Sequence, residues 1–199
     1  AYSDLKAGLG FSPLTGFIVA IGLYDVERSQ VAVYYTGEGH ETDVREDDYV
    51  LKQRSEKEML EDFWEGARSY DTFVTFNGRG FDVPFMLLRS VVHELKPTQN
   101  LMSWRYLYQQ RSVRHIDLLD QLTFYGAVRR RPSLHLFCRT FGIVIPKSEE
   151  VTGDEVTNLF KNKRYQAIAK YNQKDVVATT ELYLKWRDHL AFTEPAIEY

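Results

Sequence analysis

The sequence predicts an α/β fold, a sheet with helical layers. Strand-like runs come first and then alternate with helical patterns, which is the order that builds such layers. Residues 16–24 (GFIVAIGLY) are an unbroken apolar run, suited to a strand buried on both faces. Residues 164–190 contain neither Gly nor Pro and read as the longest helix.

The elements follow in order. After residues 16–24, the polar stretch 25–30 (DVERSQ) reads as a turn. Residues 31–36 (VAVYYT) are β-branched and aromatic and return as the second strand of a hairpin. Residues 38–48 carry many acids and read as a solvated loop. Over 55–69, Met59, Leu60, Phe63, Trp64 and Ala67 recur at three- and four-residue spacing, which makes one apolar helical stripe. Residues 72–76 (TFVTF) form a strand that stops at Asn77-Gly78-Arg79-Gly80, where two glycines permit positive φ and close backbone approach. Pro84 suits the first turn of a helix reaching Leu95. A short strand over 113–116 precedes a helix capped by Asp117. Ser133 caps a helix over 134–141, and Gly142 ends it.

Composition narrows the function. The chain has 199 residues, 44% hydrophobic and 27% charged, enough for one folded domain spanning 1–199. Its formal net charge is −3, so any nucleic-acid contact must be local rather than global. The single cysteine, Cys138, forms no internal disulfide and suits a reducing cytoplasm. No apolar run approaches the roughly 18 residues needed to cross a bilayer, so no membrane partner is expected.

Three carboxylates carry the chemistry: Asp4, Asp82 after the glycine loop, and Asp175 in the long helix, one turn beyond Tyr171. Clustered carboxylates repel unless a hard divalent cation neutralises them. The stretch Phe76-Asn77-Gly78-Arg79-Gly80-Phe81-Asp82-Val83-Pro84-Phe85 resembles the second exonuclease motif of the DEDD superfamily, which has a ribonuclease H-like fold. Tyr171-Asn172-Gln173-Lys174-Asp175 resembles its third motif, in the Tyr-x-x-x-Asp (DEDDy) form. Residues 1–9 (AYSDLKAGL) resemble the first motif, Asp-x-Glu on the opening strand. The nearest branches are exonucleases similar to the proofreading domain of family B polymerases and the YprB-type ribonuclease H-like domains.

The resemblance implies a mixed sheet of about five strands with flanking helices. It implies a 3′–5′ exonuclease releasing 5′-mononucleotides from single-stranded DNA or RNA with two Mg²⁺ or Mn²⁺ ions, in a repair or replication assembly. Asp4, Asp82 and Asp175 are the implied metal ligands and Tyr171 orients the attacking water. Asn77, Gly78, Arg79, Phe81, Arg129 and Arg130 are the candidate nucleic-acid contacts. One residue departs from the pattern. Lys6 stands where the first motif has Glu. Unit charges 4 Å apart interact by about 4 kcal/mol at an effective dielectric near 20. Lys6 therefore either opposes a metal or stands in for its charge, and the alternative reading is a nucleic-acid-binding module with impaired turnover. Outside the three motifs, His115 reads as structural, Trp64, Trp104 and Trp186 as packing residues, and Lys161, Lys163 and Arg164 as further phosphate contacts. Tyr108, like Phe81, is a candidate to stack on a terminal base.

Overall fold

The computed structural model describes residues 12–38, 43–46, 48–144 and 153–192, with side chains of the last segment from residue 156. Asp4 and Lys6 lie outside the described residues.

The predicted hairpin forms. Strand β1 (Ala20–Asp25) pairs antiparallel with β2 (Gln30–Tyr35), with Gly22 opposite Val33. The turn is tied by Asp25, whose Oδ1 accepts from the backbone N–H groups of Glu27 and Arg28, both at 3.0 Å. This side-chain mimic of a backbone turn is what Asp supplies at such a corner. The double burial expected for residues 16–24 is only partial: Ile18 and Ile21 are buried, and most of β1 is half-buried.

Two short strands lie where a solvated loop was expected and just beyond it. Strand β4 (Tyr49–Gln53) runs parallel to β2, and β3 (Val44–Arg45) runs antiparallel to β4, giving the order β1-β2-β4-β3. Strands β5 (Thr72–Thr75) and β6 (Arg114–Asp117) pair parallel in a separate two-stranded sheet. The described residues form six strands in two sheets, one of four and one of two, and so do not by themselves make the expected single sheet of about five strands. No described strand is hydrogen-bonded between β1 and β5.

Helix α1 (Glu56–Ala67) starts at a capping box: Glu58 N–H donates to Ser55 Oγ, and Ser55 N–H donates to Glu58 Oε2 at 2.8 Å. Its stripe of Met59, Leu60, Phe63, Trp64 and Ala67 is buried, as the periodicity predicts. Helix α2 (Asp82–Val92) packs on it, and the buried Trp64 indole donates to Ser90 Oγ at 2.8 Å. A buried indole needs such an acceptor.

Helix α3 (Leu118–Leu122) is capped by Asp117 and α4 (Leu134–Thr140) by Ser133, both as expected. Gly142 follows α4 with a φ of 69°. Helix α5 (Gly153–Lys161) has no counterpart in the sequence reading. The long helix α6 (Tyr165–His189) packs on β1, β2 and β5 and so spans both sheets. Gly22 is where it comes closest to β1: a β-carbon there would collide with the side chains of Asn172 and Val176. No helix among the described residues is long and apolar enough to cross a membrane.

Candidate active site

The glycine loop is built around Asp117. In the parallel register Thr75 lies opposite Asp117, so the chain leaves β5 beside that carboxylate. Asp117 Oδ1 accepts from Asn77 N–H at 2.8 Å and Leu119 N–H at 3.0 Å, and Oδ2 accepts from Arg79 N–H at 2.9 Å. The acid read as a helix cap therefore also shapes the loop before Asp82. Two details differ from the sequence reading. The positive φ belongs to Asn77, at 60°, and to neither glycine; Asn tolerates this region better than most residues. Gly78 serves close approach, since a β-carbon there would run into the Thr75 side chain.

Arg79 is turned inward. Its Nη1 donates to the Ser103 carbonyl at 3.0 Å and its Nη2 to the Trp104 carbonyl at 2.8 Å, while Nε is buried without a partner. A guanidinium committed to two carbonyls is a strut for the loop. Phe81 is exposed, with its ring 5.6 Å from that of Phe85. His115 is buried. Its Nδ1 faces the Leu101 carbonyl at 2.7 Å, so that nitrogen carries the proton, and Nε2 at 2.8 Å accepts from Thr75 Oγ1. Burial lowers its pKa, and the structural reading holds.

Asp82 opens α2. Its neighbour Phe81 provides no side-chain cap. The Asp82 carboxyl reaches solvent, yet its pKa is pushed up to about 6, chiefly by desolvation and secondarily by the Asp117 carboxylate.

The second acidic group sits on α6. Tyr171 hydrogen-bonds to Asp175 one turn later, as the spacing predicts. Desolvation raises the pKa of Asp175, and Tyr171 and His135 oppose the rise. His135 comes from α4, with Nε2 3.8 Å from Asp175 Oδ1. Nothing local to either residue points to this partner, because 40 residues separate the two and only tertiary packing joins them. Cys138, one turn after His135, is buried, and its Sγ lies 3.8 Å from the Ala178 carbonyl. Burial and the Asp175 carboxylate push its thiol up to about 11, which makes it unreactive.

The two acidic groups share a wall. Phe76, the residue before the glycine loop, packs edge-on against Phe137 of α4 at 6.0 Å. Both belong to the core of Ile116, Leu118, Cys138, Ala178 and Leu182. The same helix that carries His135 to Asp175 therefore also seats the loop that leads to Asp82. No hydrogen bond or ion pair directly joins Asp82 to Asp175 among the described residues, and no group of three His, Cys, Asp or Glu there is placed to hold a metal ion. Two oxygen donors of raised pKa have the chemistry a hard divalent cation takes, and a third donor is needed to complete the set.

Of the predicted phosphate contacts, Arg129 and Arg130 are exposed on the loop before α4, and Lys161 and Arg164 are exposed near the start of α6. Lys163 pairs with Glu38 at 2.8 Å.

No curated protein matches the chain. The family of predicted 3′–5′ exonucleases related to the exonuclease domain of PolB matches residues 20–194. That span contains the glycine loop, Asp82, Tyr171 and Asp175, and the chain belongs to this family.

Proposed function

We propose that the protein is a metal-dependent 3′–5′ exonuclease releasing 5′-mononucleotides from single-stranded DNA or RNA. One observation carries the reading beyond the family. Asp82 and Asp175 are both held above the usual carboxylate range, and among the described residues neither has a Lys or Arg partner. Acids left this way lose stability to their surroundings, a pattern typical of sites that bind cations or move protons.

Asp82 and Asp175, with Asp4, are the residues to hold Mg²⁺ or Mn²⁺, which when bound supplies an activated water and stabilises the leaving oxygen. Tyr171 hydrogen-bonds Asp175 and orients the water beside it. His135, 3.8 Å from the Asp175 carboxylate, helps to orient it. Asn77, Gly78 and Phe81 meet the terminal nucleotide, and Arg129 and Arg130 follow the backbone. The second reading, a binding module with impaired turnover, rests on Lys6, an ammonium at the position of the expected Glu.

The test follows nucleotide release from 3′-labelled single strands with Mn²⁺. Wild type is expected to release 5′-mononucleotides. Asp175→Asn should be about 1000-fold slower, the roughly 4 kcal/mol that a metal-bound transition state stands to lose. Release by Lys6→Glu but not by wild type selects the impaired module. No release by either overturns the exonuclease reading.

A further inference from the structure

We propose that Trp104, Tyr106, Tyr108 and Phe124 form a stacking platform for the unpaired bases of a single-stranded nucleic acid upstream of the scissile end. The identity of the ligand rests on the exonuclease reading, but the platform itself is argued from its own residues.

The exposure of these rings is the first observation. Trp104, Tyr108 and Phe124 have 64%, 66% and 56% of their surface open, and Tyr106 is exposed beside them. Trp104, expected to pack, thus behaves unlike Trp64 and Trp186, which are buried. Large aromatics left open together on one surface mark interaction sites.

The rings are also held in place. Tyr106 stacks on Tyr108 at 5.9 Å with planes 26° apart, and it leans on Tyr125 at 4.7 Å. The Tyr125 hydroxyl accepts from Gln121 Nε2 at 2.7 Å and from Leu107 N–H at 3.3 Å. Phe124 and Tyr125 adopt φ values of 50° and 56°, a left-handed pair that costs a bulky residue backbone strain. The outcome of that strain is a phenyl ring turned to solvent, which core packing does not explain.

Charge then selects the occupant. Residues 103–131 contain six arginines and two aspartates, with no Lys or Glu, in a chain of net charge −3. Of the two acids, Asp117 is buried in the loop, and Asp120 is taken by Arg105 through paired bonds of 2.6 and 2.9 Å. Arg111 and Arg129–Arg131 remain exposed in the same stretch of chain, and the Arg105 guanidinium lies 6.0 Å from the Tyr125 ring. Aromatic faces rimmed by guanidinium groups fit bases and phosphates of a single strand, whose π-faces a duplex would hide.

Position completes the case. The Ser103 and Trp104 carbonyls hold the Arg79 guanidinium, so the platform is fastened to the loop that delivers Asp82.

The experiment measures binding of labelled dT10 and rU10 by the full chain in EDTA, where hydrolysis cannot intervene. Trp104→Ala and Tyr108→Ala should each weaken binding about 10-fold, in the range alanine substitution gives for a stacked base. Tyr108→Phe should restore it. A blunt duplex should not compete, and Trp fluorescence should fall as the strand binds. Affinity unchanged in both alanine variants overturns the platform. So does absence of binding by wild type, equal competition by duplex, or a wild-type dimer that Trp104→Ala dissolves, which would make the patch a contact between copies. Nucleotide release with Mn²⁺ is scored separately. Loss of binding without any release leaves the platform standing and removes the nuclease, and the reverse pattern does the opposite.

Discussion

Glu56 and Asp82 occupy the same kind of place, the first turn of consecutive helices, and end in opposite states. Both receive whatever a helix N-terminus gives an anion. Burial raises the Glu56 pKa, but its partners outweigh burial and the net is a lowered value. Arg89 donates to it twice, at 2.8 and 2.7 Å, His93 Nε2 lies at 2.7 Å, and Ile18 N–H donates at 2.7 Å. Asp82 has burial and a neighbouring Asp117 carboxylate, and its pKa rises. A helix start is therefore compatible with either role. What separates a structural acid from a candidate ligand is whether the fold supplies a cation of its own.

The Glu56 cluster fastens the segment around Ile18 to α1 and α2. Glu56→Ala leaves Arg89 without its buried partner, and removing one member of such a pair costs about 3 kcal/mol. Denaturant unfolding should find that loss, while nucleotide release per folded molecule stays unchanged. A cost below about 1 kcal/mol would place Glu56 with ordinary surface pairs and erase one side of the contrast.

His135 sharpens the other side. Its Nε2 lies 3.8 Å from the Asp175 carboxylate, and it opposes the rise of that pKa. His135→Ala should lower nucleotide release about 10-fold, the usual size for a group that orients a metal ligand. It should also move the acidic limb of the rate–pH profile upward, because Asp175 loses the neighbour that favours its charged form. A change in stability alone, with the pH profile fixed, would assign His135 to packing.

The legible parts of the molecule are those whose signals are local. Ser55 and Ser133 announce their helices through residues three positions on. The hairpin announces itself in two β-rich runs around a polar turn, and Tyr171 meets Asp175 through helical spacing alone. The parts that escaped are set by distant residues. Tyr49–Gln53 is short and has no alternation to read, and it becomes a strand because β2 pairs with it in parallel. Asp117 reads as a cap from its own neighbourhood, while its bonds to Asn77 and Arg79 cross about 40 residues. The bonds from Arg79 to the Ser103 and Trp104 carbonyls cross about 25 residues and leave no mark in its own neighbourhood. His135, between two leucines, carries no local signal at all.

The smallest expected effect is the most direct comparison of the two acids. The Asp82 carboxyl titrates near 6 in the folded chain and near 3.9 unfolded. Folding therefore favours its protonated form. That stabilisation is fully present below the unfolded value and is lost as pH rises from about 4 to 6. Glu56 has the opposite sign: its lowered pKa contributes above the unfolded value and is lost as pH falls. His115, also lowered, likewise loses stability as pH falls below its unfolded value near 6.5. Both persist in Asp82→Asn and cancel when it is compared with wild type. At pH 7.5 the wild type carries the full cost of a charged Asp82, and the Asn variant carries none. Because the carboxyl reaches solvent, much of that cost is screened, and the variant should melt only about 2 °C higher. The gap should shrink as pH falls below 6 and close only below about 4, where Asp82 is neutral in the folded and the unfolded chain alike. If Asp82→Asn melts lower than wild type at pH 7.5, the charged Asp82 supports α2 in the way Glu56 supports α1, and the two acids are no longer different in kind.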